Sequence, residues 1–291
     1  MKKFHIIIVL LFFTLPSWGG TGKGIPSLST EQEQQFTYYW YAARQAIEES
    51  RYADAYVMLE FCRSIQPKDA SVLYYLGLIH KGLGDMPQAN RYFKLAYEQS
   101  PNDYWQEYLK AEQSQAIQDK DWDRVLLVQD EIDKHEPYDA YSAYLRYNIL
   151  SAQGKYKKAL AAIDRYLETD PDNIRFLLLR LEMLEKMKAK SKTLYALYDR
   201  ILEINPYHLM VLNNYAYHLA THKGDLKEAE RMSAITIREE PDNPVYLDTY
   251  GWILHLQGQD ELALFYLNRA KWNSGSDEVK EEIIKHLNAI K

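Results

Sequence analysis

A proline returns every 34 to 36 residues along most of this chain. Pro67, Pro101, Pro137, Pro171, Pro206 and Pro241 are separated by 34, 36, 34, 35 and 35 residues. Proline has no amide proton to give a helix interior, and its ring clashes with the preceding turn, so each one marks a helix stop. Asp69, Asn102, Asp172 and Asn243 follow within two residues of a proline. Their side chains suit the free amides at the start of a new helix. The spacing predicts a repeated helical unit. Repetition overrides the two globular domains that 291 residues would otherwise suggest.

Counting each proline as position 32 aligns other residues. Position 20 is Ala55, Ala89, Val125, Ala159, Leu194 and Ala229, and one further count adds Ala263 in a seventh unit. Position 8 is small in three units, Ala43, Gly77 and Gly251, and position 27 in those units is Cys62, Ala96 and Ala270. Position 15 is Gly84, Gly154, Gly224 and Gly258. Larger apolar residues stand at positions 4 and 24, among them Leu73, Phe93, Leu178, Tyr198, Leu247 and Leu267. A unit of this length holds two helices of about 13 residues and two turns. Small residues at 8 and 20 let paired helices approach, and position 27 lets the second helix meet the next unit. Glycine at 15 permits the turn. A single hairpin cannot bury both its faces, so the units must stack.

Two stretches carry a specific resemblance. Leu76-Gly77-Leu78-Ile79-His80 is followed by Gly84-Asp85, Ala89, Phe93, Ala96 and Pro101. Tyr250-Gly251-Trp252 is followed by Gly258, Ala263, Leu267 and Ala270. Both resemble the tetratricopeptide repeat, and the similarity runs over residues 36–275. The resemblance implies an all-α, right-handed superhelical solenoid of about seven hairpins with a C-terminal capping helix. Its units are 36–69, 70–105 with a connecting turn, 106–139, 140–174, 175–209, 210–243 and 244–275. The third unit departs from the pattern, with Glu112 and Gln113 at positions 7 and 8 and two extra residues, although Lys120-Asp121-Trp122-Asp123-Arg124-Val125 fits the turn and second-helix start. Glu182 and Tyr217 occupy position 8 of the fifth and sixth units, and Gly275 stands where the seventh expects proline. A local change of curvature is expected over residues 106–217.

Both ends read as finished. Lys2 and Lys3, the apolar run Ile6–Leu15 and Ser17-Trp18-Gly19 make 1–19 a secretory signal peptide. The run is about half of the roughly 20 residues that a membrane helix needs. The lone cysteine, Cys62, is too far along to be a lipid attachment site. Residues 20–35 are a Gly/Ser/Thr-rich lead-in and the start of the first helix, with Thr30 and Glu33 spaced as a capping box. Residues 276–291 form a capping helix with Ser276 at its N-cap and an apolar stripe of Val279, Ile283, Leu287 and Ile290.

Removing Lys2 and Lys3 with the signal takes the formal net charge from −6 to −8. An acidic chain without a basic stretch argues against nucleic acid as partner, and against an anionic membrane surface. Cys62 sits at a packing position and reads as a buried free thiol. No glycine-rich phosphate loop, G-x-S-x-G or H-E-x-x-H occurs, and no cofactor is expected. His218 and His222 have metal-ligand spacing but no identifiable third ligand. Glu107, Glu112 and Asp121 would be the first acid/base suspects of a hidden enzyme, yet nothing pairs them with a role.

The resemblance also implies that positions 2, 5, 9 and 12 of each first helix face a concave groove. Here these include Trp40, Arg44, Tyr74, Tyr141, Tyr144, Asn148, Phe176, Asn214, His218, Asp248, Trp252 and His255. Tyr, Trp and Arg supply large amphipathic contacts, and an Asn amide can bond an extended peptide. The Lys/Asn clamp by which some relatives hold chaperone tails is missing. Asn213–Tyr217 and Tyr246–Trp252 are similar to segments of exported bacterial tetratricopeptide proteins. The expectation is a non-catalytic periplasmic or secreted scaffold that binds a protein segment. An exported glycan-binding module using the groove aromatics is the alternative.

Overall fold

The computed structural model describes residues 28–290. The expected signal peptide and the first part of the lead-in lie outside the described residues. Fifteen α-helices and no strand occur among the described residues. They are α1 (Thr30–Glu48), α2 (Tyr52–Ile65), α3 (Ala70–Gly82), α4 (Met86–Gln99), α5 (Pro101–Gln118), α6 (Trp122–Ile132), α7 (Ala140–Ala152) and α8 (Tyr156–Leu167). Then follow α9 (Ile174–Lys186), α10 (Ser191–Ile204), α11 (Leu209–Thr221), α12 (Leu226–Glu239), α13 (Pro244–Leu256), α14 (Asp260–Asn273) and α15 (Asp277–Ala289). The chain divides into two compact units, Met1–Glu112 and Gln113–Lys291, with the division inside α5. Each is a stack of antiparallel helical hairpins, the arrangement of an all-α solenoid.

In the first unit, Ala43, Ala55, Leu59, Cys62, Ala89 and Ala96 are fully buried where α1 meets α2 and α3 meets α4. Positions 8 and 24 are opposed. A Cβ added at Gly77 would stand 2.6 Å from Phe93 Cε1 and 3.3 Å from the Ala89 carbonyl oxygen. The first hairpin solves the same contact with Ala43 and Leu59, both fully buried. The Cys62 Sγ is 3.7 Å from the Phe36 carbonyl oxygen, and burial pushes its thiol up to about 11, away from reactivity.

The second unit repeats the contact at Gly251, whose added Cβ would lie 2.8 Å from Leu267 Cγ. Elsewhere in this unit the 8/24 pair is rewritten. Gln113 donates from Nε2 to Gln129 Oε1 at 2.6 Å, and Gln129 Nε2 donates to Ser142 Oγ and Asp133 Oδ1 at 2.9 and 2.8 Å. Arg146 closes the network on Asp133 at 3.0 Å. Gln113 and Gln129 of the degenerate repeat are thus buried partners rather than exposed residues. Glu182 accepts from the Tyr147 hydroxyl at 2.5 Å, and Tyr198 opposite it stacks on Tyr215. In α11 the sizes are reversed, with Tyr217 at 8 and the fully buried Ser233 at 24.

The turns correct the glycine reading. A backbone bond to the carbonyl five residues back closes each hairpin turn, for example Asp85 N to His80 O at 2.9 Å and Gln259 N to Leu254 O at 2.9 Å. Gly84, Gly154 and Gly258 take positive φ there, and so do Ser50 and Lys120 at the same position. In the fifth and sixth hairpins the left-handed residue comes one place early, at Lys188 and Lys223. Gly224 is required by crowding instead, because an added Cβ would be 2.7 Å from Leu219 Cδ2.

The caps also shift. Ser29 and Gln32, not Thr30 and Glu33, form the capping box of α1. The helix starts one residue earlier than the T-x-x-E spacing suggests, and Ser29 satisfies the same geometry. Asp69 and Asn243 cap α3 and α13, while Asn173 rather than Asp172 caps α9. Asp172 is drawn to the Arg200 guanidinium. Asn102 lies inside α5, after which a kink at Tyr104 precedes the main helical run. Ser276 occupies the N-cap of α15 without a side-chain bond. Val279, Ile283 and Leu287 of α15 pack on Leu247 and Ala270, so this helix covers the last hairpin.

Gly77→Ala should destabilise the first unit by about 1–2 kcal/mol, since overpacking near Phe93 outweighs the gain in helix propensity. Adding Phe93→Leu, which recreates the Ala43–Leu59 pairing, should restore most of that loss in urea denaturation. An unrestored midpoint would separate positions 8 and 24 energetically.

Candidate partner-binding groove

First helices lie side by side in the second unit. Tyr147 of α7 reaches Glu182 of α9, α11 packs on α13, and α13 packs on α15. Four of these helices, α9, α11, α13 and α15, enclose a pocket of about 380 Å³. Its wall includes Glu185, Asn213, Asn214, Tyr217, His218, Thr221, Asp248, Val279 and Glu282. A larger depression, about 890 Å³, lies between α8 and α10. Its Arg180 and Arg200 are already paired with Asp164 and Asp172.

The wall is held from behind. Tyr198 donates to Glu185 Oε1 at 2.8 Å, and Tyr217 to Glu282 Oε1 at 3.4 Å. Burial first, then the nearby Glu282 carboxylate, pushes the Tyr217 phenol up, so it stays a donor. His286 Nδ1 lies 2.9 and 3.0 Å from the two oxygens of Asp248, a buried pair. Burial raises the Asp248 carboxyl against the opposing pull of His286. His218 and His222 stack face to face with ring centres 3.8 Å apart, and His222 Nδ1 turns to Thr221 Oγ1 at 3.0 Å. No group of three or more His, Cys, Asp or Glu is placed to hold a metal among the described residues.

Small-on-large contacts at 8 and 24, alanine at 20 and first helices in a row decide the repeat type. These are tetratricopeptide-type hairpins. No protein-family model matches the chain, and no curated protein matches it. Among solved structures it is similar to YrrB, a TPR protein with an unusual peptide-binding site, at 15% identity and TM-score 0.43, covering 78% of this chain and 97% of that one. It is also similar to a tetratricopeptide repeat protein from Parabacteroides merdae, at 16% identity and TM-score 0.42, covering 87% and 98%. Yeast Tom70 gives 14% identity and TM-score 0.47, with 82% of this chain and 50% of that one.

The tetratricopeptide-type framework brings together only some of the expected groove residues. Asn214, His218 and Asp248 line the pocket. Asp248 is committed to His286, and Trp252 is stacked on the same imidazole at 4.3 Å, because α15 lies where an eighth first helix would. His255 Nδ1 is 2.7 Å from Asp260 Oδ1 at the hairpin turn, away from the pocket wall. On α7, Tyr141, Tyr144 and Asn148 are all exposed, and Tyr144 also stacks on Tyr147 and carries Arg175 over its ring at 4.5 Å. Phe176 is buried against Tyr166 and belongs to the core. Trp40, Arg44 and Tyr74 are half-buried in the first unit, Trp40 between Phe36 and Tyr75, and Tyr74 among Tyr75, Phe93 and Tyr104.

Sequence reasoning missed Glu185, Asn213, Tyr217, Val279 and Glu282. A signal existed for three of them. Carrying the count into an eighth unit puts Val279, Glu282 and His286 at positions 2, 5 and 9, and the Tyr217–Ser233 pair leaves a large ring opposite a small residue. Glu185 and Asn213 stand at positions 11 and 4 and had none.

His218 is held below its usual value of 6.5, by burial and then by His222. Above that value the ring is neutral both folded and unfolded. Below it the unfolded chain takes a proton that the folded ring resists, so acid favours unfolding. The loss of denaturation midpoint from pH 7.5 to 5.5 should therefore shrink in His218→Gln. An equal loss in both proteins would exclude His218 as the source.

Proposed function

We propose that this chain is a non-catalytic scaffold that holds a polypeptide segment of a partner protein along the first helices of its second unit. The observation that carries the reading is the pocket shared by α9, α11, α13 and α15. It is lined by amide, hydroxyl and carboxylate groups that suit an extended backbone and its side chains. The glycan alternative needs open aromatic faces for stacking. Trp252 stacks on His286 and Tyr144 carries Arg175 over its ring, which leaves Tyr141 as the open groove ring, and Tyr141 does not line the pocket.

Displayed random peptides should be enriched on the purified chain. Binding of the enriched peptides should fall at least about tenfold in Asn214→Trp, which fills the pocket, and hold in Lys192→Ala, on α10 and outside the pocket lining. Enrichment that ignores Asn214→Trp, or no enrichment beside a positive glycan screen, would remove this groove as the docking surface.

We further propose that the scaffold acts outside the cytoplasm of a bacterium. Support comes from the basic start, apolar run and small-residue site within 1–19. No helix among the described residues is long and apolar enough to cross a membrane. Residues 1–30 fused to a phosphatase that is active only after export should give activity, lost in Leu10→Arg. An inactive fusion that stays in the cytoplasm with its N-terminus uncleaved would defeat the idea.

A further inference from the structure

The pocket has an unbalanced chemistry. No lysine or arginine lines it, while Glu185, Asp248 and Glu282 do. Asp248 is already engaged by His286 Nδ1, at 2.9 and 3.0 Å from its two oxygens. Glu185 and Glu282 receive hydrogen bonds from the hydroxyls of Tyr198 and Tyr217, neutral donors that leave both negative charges in place. They stand on α9 and α15, with α11 and α13 between them.

A second observation points the same way. Asn213 lines the pocket at 3% exposure, donates from Nδ2 to Asn214 Oδ1 at 3.3 Å, and has no partner for its own Oδ1. A buried amide oxygen without a donor is costly and rare in a folded protein. His218 Nδ1 is likewise buried without a partner, on a ring kept neutral by its surroundings. The wall thus offers the spare acceptor of Asn213 and negative charge. Tyr217 adds an aromatic ring at its edge. What it lacks is a cation with several N–H donors.

We infer that this pocket receives a basic side chain of the bound segment, arginine above lysine. The inference rests on the groove reading and assigns its anchor. A guanidinium carries five donors in a flat fork, matching carboxylates on two sides and an amide oxygen on the floor. An ammonium satisfies the charge but fewer of the acceptors. This is the opposite polarity to an anion-holding clamp, which would need lysines or arginines on the wall.

The test uses the purified chain and the displayed random peptides. Enriched peptides should carry Arg, then Lys, at one fixed position. Replacing that Arg by citrulline, its neutral isostere, should weaken binding about tenfold in the unaltered chain and under about twofold in Glu185→Gln/Glu282→Gln. Both carboxylates are exposed, so these changes should leave the fold intact. Glu282→Lys should shift enrichment toward Asp or Glu at the same position. Peptides that depend on Asn214 but show no basic preference, or lose equal affinity to citrulline in both proteins, would overturn the anchor and leave the groove standing. Failure of every peptide to bind would overturn the groove reading itself.

Discussion

The close contact of two helices within a hairpin governs everything else in the structure. Where position 8 is Gly or Ala, the second helix drops its Phe or Leu into the space, and alanine at 20 keeps the backbones near. Burying such a side chain contributes about 1.5–3 kcal/mol in each hairpin that has this pair. A hairpin so formed leaves its other faces apolar, and stacking is the only way to cover them. The row of first helices that forms the candidate groove is a by-product of that stacking.

The contact tolerates rewriting only in pairs. Gln113 with Gln129, Glu182 near Tyr198, and Tyr217 opposite Ser233 each replace the small-and-large solution with a different match. The Gln pair recruits Ser142, Asp133 and Arg146, so a degenerate repeat is held by a polar network instead of an apolar plug. Tyr217 has the opposite fate. Its hydroxyl is carried to the pocket, where it meets Glu282. The departure from the repeat pattern and the chemistry of the pocket thus come from the same residue.

The last helix has two roles for one physical reason. α15 seals the apolar end of the stack through Val279, Ile283 and Leu287. Lying where another first helix would lie, it also brings Glu282 and His286 to the groove side. It therefore completes the acidic wall and at the same time consumes Asp248 and Trp252, which the repeat pattern assigns to a partner.

The repeat, its all-helical character and the close contacts at Gly77 and Gly251 were legible in the sequence, because proline stops and small residues act through local backbone geometry that recurs with a fixed period. The groove positions were legible as positions. Which of them stay open was not, since Trp252, Tyr144 and Phe176 are decided by what packs on them from other helices. Likewise the acceptor-rich pocket of Glu185, Asn213 and Glu282 depends on distances between segments far apart in the chain. Periodicity specifies which faces meet, and only the folded stack specifies which side chains are left with unmet charge and unmet hydrogen bonds.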